Sequence, residues 1–230
     1  MFGEKRVYGI YGMSGFGREI LPLVREEIQI FGGKPEDIYF VDDSVEDDSN
    51  ETVNDHMVLN LNEFIDLDAE NRYMVIAIAN SKIRENLTNI CIENNIKLFD
   101  VLARSVVKLD QVTLGKGSIL CPFVTLTSNI RIGKGFHANI YSYVAHDCVI
   151  GDYVTFAPRV MCNGNVEIGD HAYIGTGAII KQGKPGKPLK IGKNAIIGAG
   201  SVVNKNIPDG MTVFGNPAIK LTKENLKKRM

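Results

Sequence analysis

The chain has 230 residues, enough for one large or two modest domains with ample apolar material for a core. Its 26 lysines and arginines stand against 27 acidic residues, so no charge imbalance points to nucleic acid or an anionic membrane as partner. No apolar run reaches the length of a membrane span and Met1 to Lys5 is not read as the start of a signal peptide, so a cytoplasmic protein is expected.

Arg6 to Tyr11, rich in β-branched and aromatic side chains, predicts a strand. Gly12-Met13-Ser14-Gly15-Phe16-Gly17 follows, then an amphipathic helix from Arg18 to Phe31. Strand, glycine turn and helix is the order that cradles a phosphate on helix N–H groups. The spacing is G-x-x-G-x-G, whereas the dinucleotide fingerprint is G-x-G-x-x-G, so a Rossmann dehydrogenase is a poor match.

A second strand, Ile38 to Val41, runs into Asp42 and Asp43, which fall at the carboxyl edge of the sheet beside the glycine turn. Open α/β sheets bind ligands at that edge, and a carboxylate there accepts hydrogen bonds from ribose hydroxyls or from a base. The alternative is a helix cap or a solvated turn. Asp47 to Thr52 reads as an acidic surface loop, and Tyr73 to Ile78 as a strand buried on both faces, since its side chains do not alternate. Ala79-Asn80-Ser81 then opens a helix to about Asn95, with Ser81 as the N-cap and Asn80 facing the same crevice as the aspartates. Lys97 to Val101 adds a last strand. About four strands make one mononucleotide-binding half, suited to a nucleotide carrying a small group.

From Val112 the rhythm changes to six. Leu114, Leu120, Leu126, Ile132, Ala138, Val144, Ile150, Phe156, Cys162, Ile168, Ile174 and Ile180 form one unbroken series, and a second runs two residues ahead of it from Val112 to Ala178. One position after the first series stand Gly115, Gly133, Gly151, Gly169 and Gly175, with Asn139 and Asn163 between them, residues able to take positive φ. A period of six fits neither helix nor hairpin. It marks a solenoid of short parallel strands whose coils are roughly three hexads each, a triangular prism. Between Ile180 and Ile191 the spacing slips to eleven, so residues 182–190 are expected as an extruded loop whose lysines meet phosphates or merely keep it soluble. The hexads resume at Ile191, Ile197 and Val203, a capping segment runs from Ile207 to Ala218, and Leu221 to Met230 reads as a short basic helix.

Inside the hexads His146 immediately precedes Asp147, two places past the inward Val144 and hence near a corner. Histidine titrates near neutrality, as a general base must, and an adjacent carboxylate can hold one ring nitrogen protonated while raising the basicity of the other. A surface histidine beside a solvated acid is the bland alternative. His56 lies in a polar loop, and no acid follows His137 or His171. Asn163-Gly164-Asn165 falls one coil beyond His146 and stacks nearly beneath it, where a glycine amide could face an oxyanion. Of the four cysteines, Cys148 and Cys162 lie on the inward series, Cys121 at a corner and Cys91 in a helix. They carry no metal spacing and are read as reduced and structural.

Tyr11-Gly-Met-Ser-Gly-Phe-Gly17, Phe40-Val-Asp-Asp43, Ala77-Ile-Ala-Asn80, Ala145-His-Asp-Cys-Val-Ile-Gly151, Gly164-Asn165 and Gly215-Asn-Pro-Ala218 carry a resemblance across both halves of the chain. The sequence resembles the hexapeptide-repeat acyltransferases in their nucleotide-sugar branch. That branch includes sialic-acid O-acetyltransferase-like proteins and N-acetyltransferases of nucleotide-linked 4-amino-4,6-dideoxy sugars, and Phe136 to His146 is most similar to the enzymes of O-antigen synthesis. The resemblance implies an α/β N-terminal Rossmann-like domain over residues 1–103, a left-handed parallel β-helix over 104–219 and a tail over 220–230. It further implies a homotrimer with acetyl-CoA as cosubstrate between neighbouring prisms, and no metal.

In site terms it implies His146 as general base, Asp147 as its partner and Gly164 as the oxyanion contact. Gly12, Met13, Ser14, Gly15, Asp42, Asp43, Ala79 and Asn80 would hold the nucleotide sugar. Thr155, Gly175, Thr176 and Gly198 would meet acetyl-CoA, the last two through the backbone. In bacillosamine-pathway relatives a second histidine follows nine residues after the base, and here that position is Thr155. The reaction expected is acetyl transfer to a sugar 4-amine. The rivals are O-acetylation of a sugar hydroxyl and a non-catalytic nucleotide-sugar scaffold. Serine-type and antibiotic acetyltransferases are disfavoured because they lack the strand-glycine-helix unit.

Overall fold

The structure is a computed structural model describing residues 5–227. Most of the segment read for a signal peptide, residues 1–4, and the last three residues of the basic tail lie outside the described residues. The chain divides into two compact units, Met1–Leu102 and Ala103–Met230.

The first unit runs β1 (Arg6–Tyr11), α1 (Gly15–Ile30), β2 (Ile38–Val41), β3 (Thr52–Val53), β4 (His56–Leu59), α2 (Leu61–Asp66), β5 (Asn71–Ile76), α3 (Ser81–Glu93) and β6 (Lys97–Leu98). Its sheet has the order β3-β4-β2-β1-β5-β6, parallel throughout except for the β3–β4 hairpin. The acidic loop expected over Asp47 to Thr52 is irregular and mostly exposed up to Glu51; the hairpin begins at its last residue, and His56 is a buried strand residue rather than a loop residue. Arg25 explains its position: the guanidinium reaches His56 Nε2 at 2.8 Å while Nδ1 lies 3.0 Å from the Ile38 carbonyl, so both ring nitrogens are satisfied in the interior. The predicted strand Lys97 to Val101 is likewise two short pieces, Lys97–Leu98 and Val101–Leu102. Helix α1 starts at Gly15, three residues before the expected Arg18.

In the second unit, strands of two or three residues stack into three parallel faces. Face 1 holds Ile119–Leu120, His137–Ala138, Thr155–Phe156, Tyr173–Ile174, Ile196–Ile197 and Thr212–Phe214. Face 2 runs from Val107–Lys108 through Thr125–Leu126, Tyr143–Val144, Met161–Cys162 and Ile179–Ile180 to Val202–Val203. Face 3 runs from Val112–Leu114 through Ile130–Ile132, Val149–Ile150 and Val166–Ile168 to Leu189–Ile191. The register is eighteen residues: Leu120 pairs with Ala138, Phe156 and Ile174 in turn, and Val144 with Cys162 and Ile180. Both hexad series point inward, from fully buried Ser118 and Leu120 to Ala178 and Ile180. Each coil is too thin to bury a core alone, so this stacking is what removes the aliphatic side chains from water. All four cysteines are buried and free, in line with a structural role.

The corner glycines have a different reason from the one expected. Gly133, Gly151 and Gly169 do not adopt positive φ; instead a Cβ there would press on the backbone of the next coil, as at Gly169, where it would lie 2.6 Å from the Lys193 nitrogen. Positive φ falls two residues later, at Gly117, Gly135, Tyr153, His171 and Asn194. The coil spacing, close to the interstrand distance of roughly 4.8 Å, is what excludes a side chain.

Candidate active site

In the first unit, the carboxyl ends of β1, β2 and β5 are level, with Tyr11 aligned to Val41 and to Ile76. Gly12 bends the chain there at φ +103°, its N–H donating to the Val41 carbonyl at 2.8 Å. Gly17 lets α1 approach, because a Cβ would collide with the Gly12 carbonyl oxygen; at Gly15 an added Cβ meets nothing within 4 Å. Open space at the start of α1, where the Ser14 side chain makes no capping hydrogen bond, suits a ligand approaching the helix N–H groups.

Asp42 organises this turn: one carboxylate oxygen accepts from the Ser44 N–H and hydroxyl at 3.1 and 2.7 Å, the other from the Met13 N–H at 3.4 Å. Asp43 accepts from the Tyr11 hydroxyl and from the Leu61 N–H at 3.2 Å, the start of α2. Burial and the Asp43 carboxylate push the Tyr11 hydroxyl well above its usual range, so it remains a donor. Both aspartates thus serve the local turn and cap geometry at this edge of the sheet. Asn80, not Ser81, is the N-cap of α3, its side-chain oxygen accepting from the Lys82 and Ile83 N–H groups at 3.0 and 3.2 Å. Met13, Ser14, Gly15, Ala79 and Asn80 sit at least partly exposed around that edge.

In the second unit, His146 and Asp147 form a corner of the prism between faces 2 and 3. His146 Nδ1 lies 2.7 Å from an Asp147 carboxylate oxygen, and both side chains are 48% exposed. The other carboxylate oxygen accepts from the Asn129 side-chain amide at 3.3 Å. The His146 hydrogen bond and then the Asn129 amide hold the Asp147 carboxyl below its ordinary range, so it stays ionised through the neutral region and is lost only on acidification. With a carboxylate at Nδ1, that nitrogen carries the proton and Nε2 presents a lone pair.

One coil on, the imidazole lies against Gly164: a Cβ there would come 2.5 Å from both Cε1 and Nε2. The Gly164 N–H has no partner among the described residues, whereas its neighbours Asn163 and Asn165 donate to Ile180 and His146 carbonyls. Asn163 is held in turn by the Tyr143 hydroxyl, which donates to its side-chain oxygen at 2.9 Å. His146, Asp147 and Gly164 are therefore brought together.

Asn129 is the member that sequence reading missed. Its signal was present, for Asn129, Asp147 and Asn165 recur at eighteen residues, and all three take positive φ, which Asn and Asp tolerate best. Replacing Asn129 by Gly, which keeps that backbone accessible, removes one donor from Asp147 and is expected to lower kcat/KM about fivefold. Asn129→Asp, adding a like charge beside Asp147, should lower it further; steady-state kinetics of the pair checks this.

The residues expected to meet acetyl-CoA lie elsewhere. Thr155 is a buried residue of face 1, between His137 and Tyr173. Gly175, Thr176 and Gly198 occupy the edge between faces 1 and 2, a different edge from that of His146. The N–H groups of Gly175 and Gly198 are spent on the Ile197 and Val213 carbonyls, so neither amide can donate to a ligand. The backbone contact expected from Gly198 is thereby left to its carbonyl oxygen. The Thr176 N–H is unpartnered among the described residues. Among the described residues no group of three or more His, Cys, Asp or Glu side chains could hold a metal ion.

Over 212 residues the chain is 46% identical to GDP-perosamine N-acetyltransferase of Escherichia coli O157:H7, spanning 92% of this chain and 95% of that one. This protein belongs to that family of hexapeptide-repeat N-acetyltransferases. Residues 9–90 match the PglD N-terminal domain. The solved structure of WeeI from Acinetobacter baumannii AYE is 55% identical and superposes with a TM-score of 0.90, covering 94% of this chain and all of that one. The acetyltransferase domain of PglB from Neisseria gonorrhoeae FA1090, solved with acetyl coenzyme A, is 26% identical with a TM-score of 0.79 over 95% of this chain and 100% of that one. The acetyltransferase thus has the left-handed parallel β-helix with an N-terminal α/β unit that its relatives share. No helix among its described residues is long and apolar enough to cross a membrane.

Proposed function

We propose that this protein transfers the acetyl group of acetyl-CoA to the 4-amine of a nucleotide-linked 4-amino-4,6-dideoxy sugar, a precursor of a bacterial surface glycan, in the cytoplasm. The observation that carries the chemistry is the ring orientation of His146, with Nδ1 tied to Asp147 and Nε2 left as the acceptor. The neutral amine attacks the thioester carbonyl and His146 Nε2 takes its proton. The Gly164 N–H faces the oxyanion of the tetrahedral intermediate, the C–S bond breaks, and the imidazolium returns the proton to the departing thiolate. The crevice of the first unit, with Gly12, Met13, Ser14, Gly15, Asp42, Asp43, Ala79 and Asn80, recognises the nucleotide. The 46% identity to an enzyme named for GDP-perosamine supports a 4-amino sugar as acceptor.

The working form is a homotrimer with acetyl-CoA between neighbouring prisms. One chain carries His146 and Thr176 on different edges, so a donor that meets both is best served by two copies of the chain. Sedimentation equilibrium checks the assembly. For the reaction, UDP-, dTDP- and GDP-linked 4-amino sugars and free sialic acid are each incubated with acetyl-CoA and thiol release is followed. Turnover is expected with a nucleotide-linked 4-amino sugar and not with sialic acid. Turnover of sialic acid would favour O-acetylation, and the absence of thiol release with every acceptor would leave a binding scaffold.

A further inference from the structure

The break in the hexads at Gln182 is a built feature of the edge that carries His146. Residues 181–188 join Ile179–Ile180 of face 2 to Leu189–Ile191 of face 3, as Gly164 and His146 do one and two coils earlier. The expected extruded segment is shorter than the sequence implied, because Leu189 and Lys190 already pair with Val166 and Glu167. Its base is fixed: the Gly183 N–H donates to the Gly164 carbonyl at 3.0 Å and the Leu189 N–H to the Asn165 carbonyl at 3.1 Å. Its tip is a tight hairpin, in which the Lys184 N–H bonds the Lys187 carbonyl at 3.1 Å and the Lys187 N–H bonds the Lys184 carbonyl at 2.9 Å. Pro185 and Gly186, at φ +70°, make the turn, the pairing a type II turn prefers.

Two residues that exchange both backbone bonds project their side chains on one side of a hairpin. Lys184 and Lys187 therefore stand side by side, exposed, with no acidic partner among the described residues. Their neighbours differ: Lys190 is paired with Glu167 at 2.9 Å and Lys193 with Asp170 at 2.8 Å. Like charges placed directly opposite each other oppose folding, and an anion bound between them relieves that repulsion.

We propose that the Lys184–Lys187 hairpin is a phosphate clamp for the acetyl donor, holding a phosphate group of coenzyme A. The inference rests on the reading of acetyl-CoA as cosubstrate. Distance selects the donor over the acceptor: the hairpin base lies two coils beyond His146, roughly 10 Å along the prism at the interstrand spacing. The extended pantetheine arm is longer than this axial span and so reaches a tip that projects from the prism, whereas a single pyranose ring holds a 4-amine closer to the nucleotide diphosphate.

Isothermal titration of the full-length protein, without acceptor, tests this with coenzyme A, dephospho-coenzyme A and pantetheine. For Lys184→Ala/Lys187→Ala, coenzyme A binding is expected to weaken about 10- to 100-fold and to lose much of its salt dependence, with pantetheine unchanged. Lys184→Arg/Lys187→Arg should restore it. Dephospho-coenzyme A separates a 3′-phosphate contact from a diphosphate contact. Wild-type affinity for coenzyme A in the alanine variant overturns the proposal, as does an equal loss for pantetheine. A raised KM for the nucleotide sugar with acetyl-CoA unaffected would assign the lysines to the acceptor instead. Failure of the wild-type protein to bind coenzyme A would sink the cosubstrate reading itself, a separate outcome.

Discussion

His146→Ala is expected to lower kcat/KM about 10²- to 10⁴-fold while leaving the fold intact. The size follows from the proposed role: Nε2, the proposed acceptor, lies against Gly164 and the ring is half exposed, so its loss removes a proton acceptor and little packing. Asp147→Asn should cost less, since it leaves the ring in place and weakens only the partner that sets its tautomer. Steady-state kinetics across pH, with circular dichroism as a control for folding, reads both. A His146→Ala enzyme within a few-fold of wild type would remove the base assignment and leave proton transfer to water.

Gly164→Ala has the second largest expected effect, and it separates steric from hydrogen-bonding roles. Alanine keeps the backbone N–H proposed to face the oxyanion, yet its Cβ would sit 2.5 Å from Cε1 and Nε2 of His146 and 3.0 Å from Cδ2. The imidazole must swing outward and loosen its bond to Asp147. A misplacement of about 1 Å at a reacting group costs on the order of 10²-fold, and that loss in kcat/KM is expected here. Stability should change little, because the displaced ring moves toward solvent. Kinetics combined with a thermal melt checks this; an unchanged rate would mean that the ring does not rest on Gly164 during turnover.

The inward pattern of the solenoid half was legible in the sequence. From Ser118 and Leu120 onward both inward series are buried as the hexads require, and the eighteen-residue coil placed Gly164 beneath His146. Asn129 was hidden by the same arithmetic, because it lies one coil from the acid rather than from the base. The first unit was less legible. The β3–β4 hairpin is too short and polar to show a period, and Asn80 took the cap from Ser81 through a hydrogen bond pattern that residue types alone do not distinguish. The corner glycines were found for the wrong reason, since what they avoid is the neighbouring coil rather than a backbone conformation.

By itself, then, the sequence determined whatever depends on neighbours along the chain. A strict period orients side chains inward, and His146 touches Asp147 because the two are adjacent at a corner. The tertiary structure alone decided what stacking decides. It spent the Gly198 amide on the ladder, supplied Asn129 to the carboxylate, and set Lys184 and Lys187 side by side on the edge that carries His146. The physical reason is that these contacts join positions about eighteen residues apart or across a hairpin. Which groups meet there depends on how the coils register and on where that register slips.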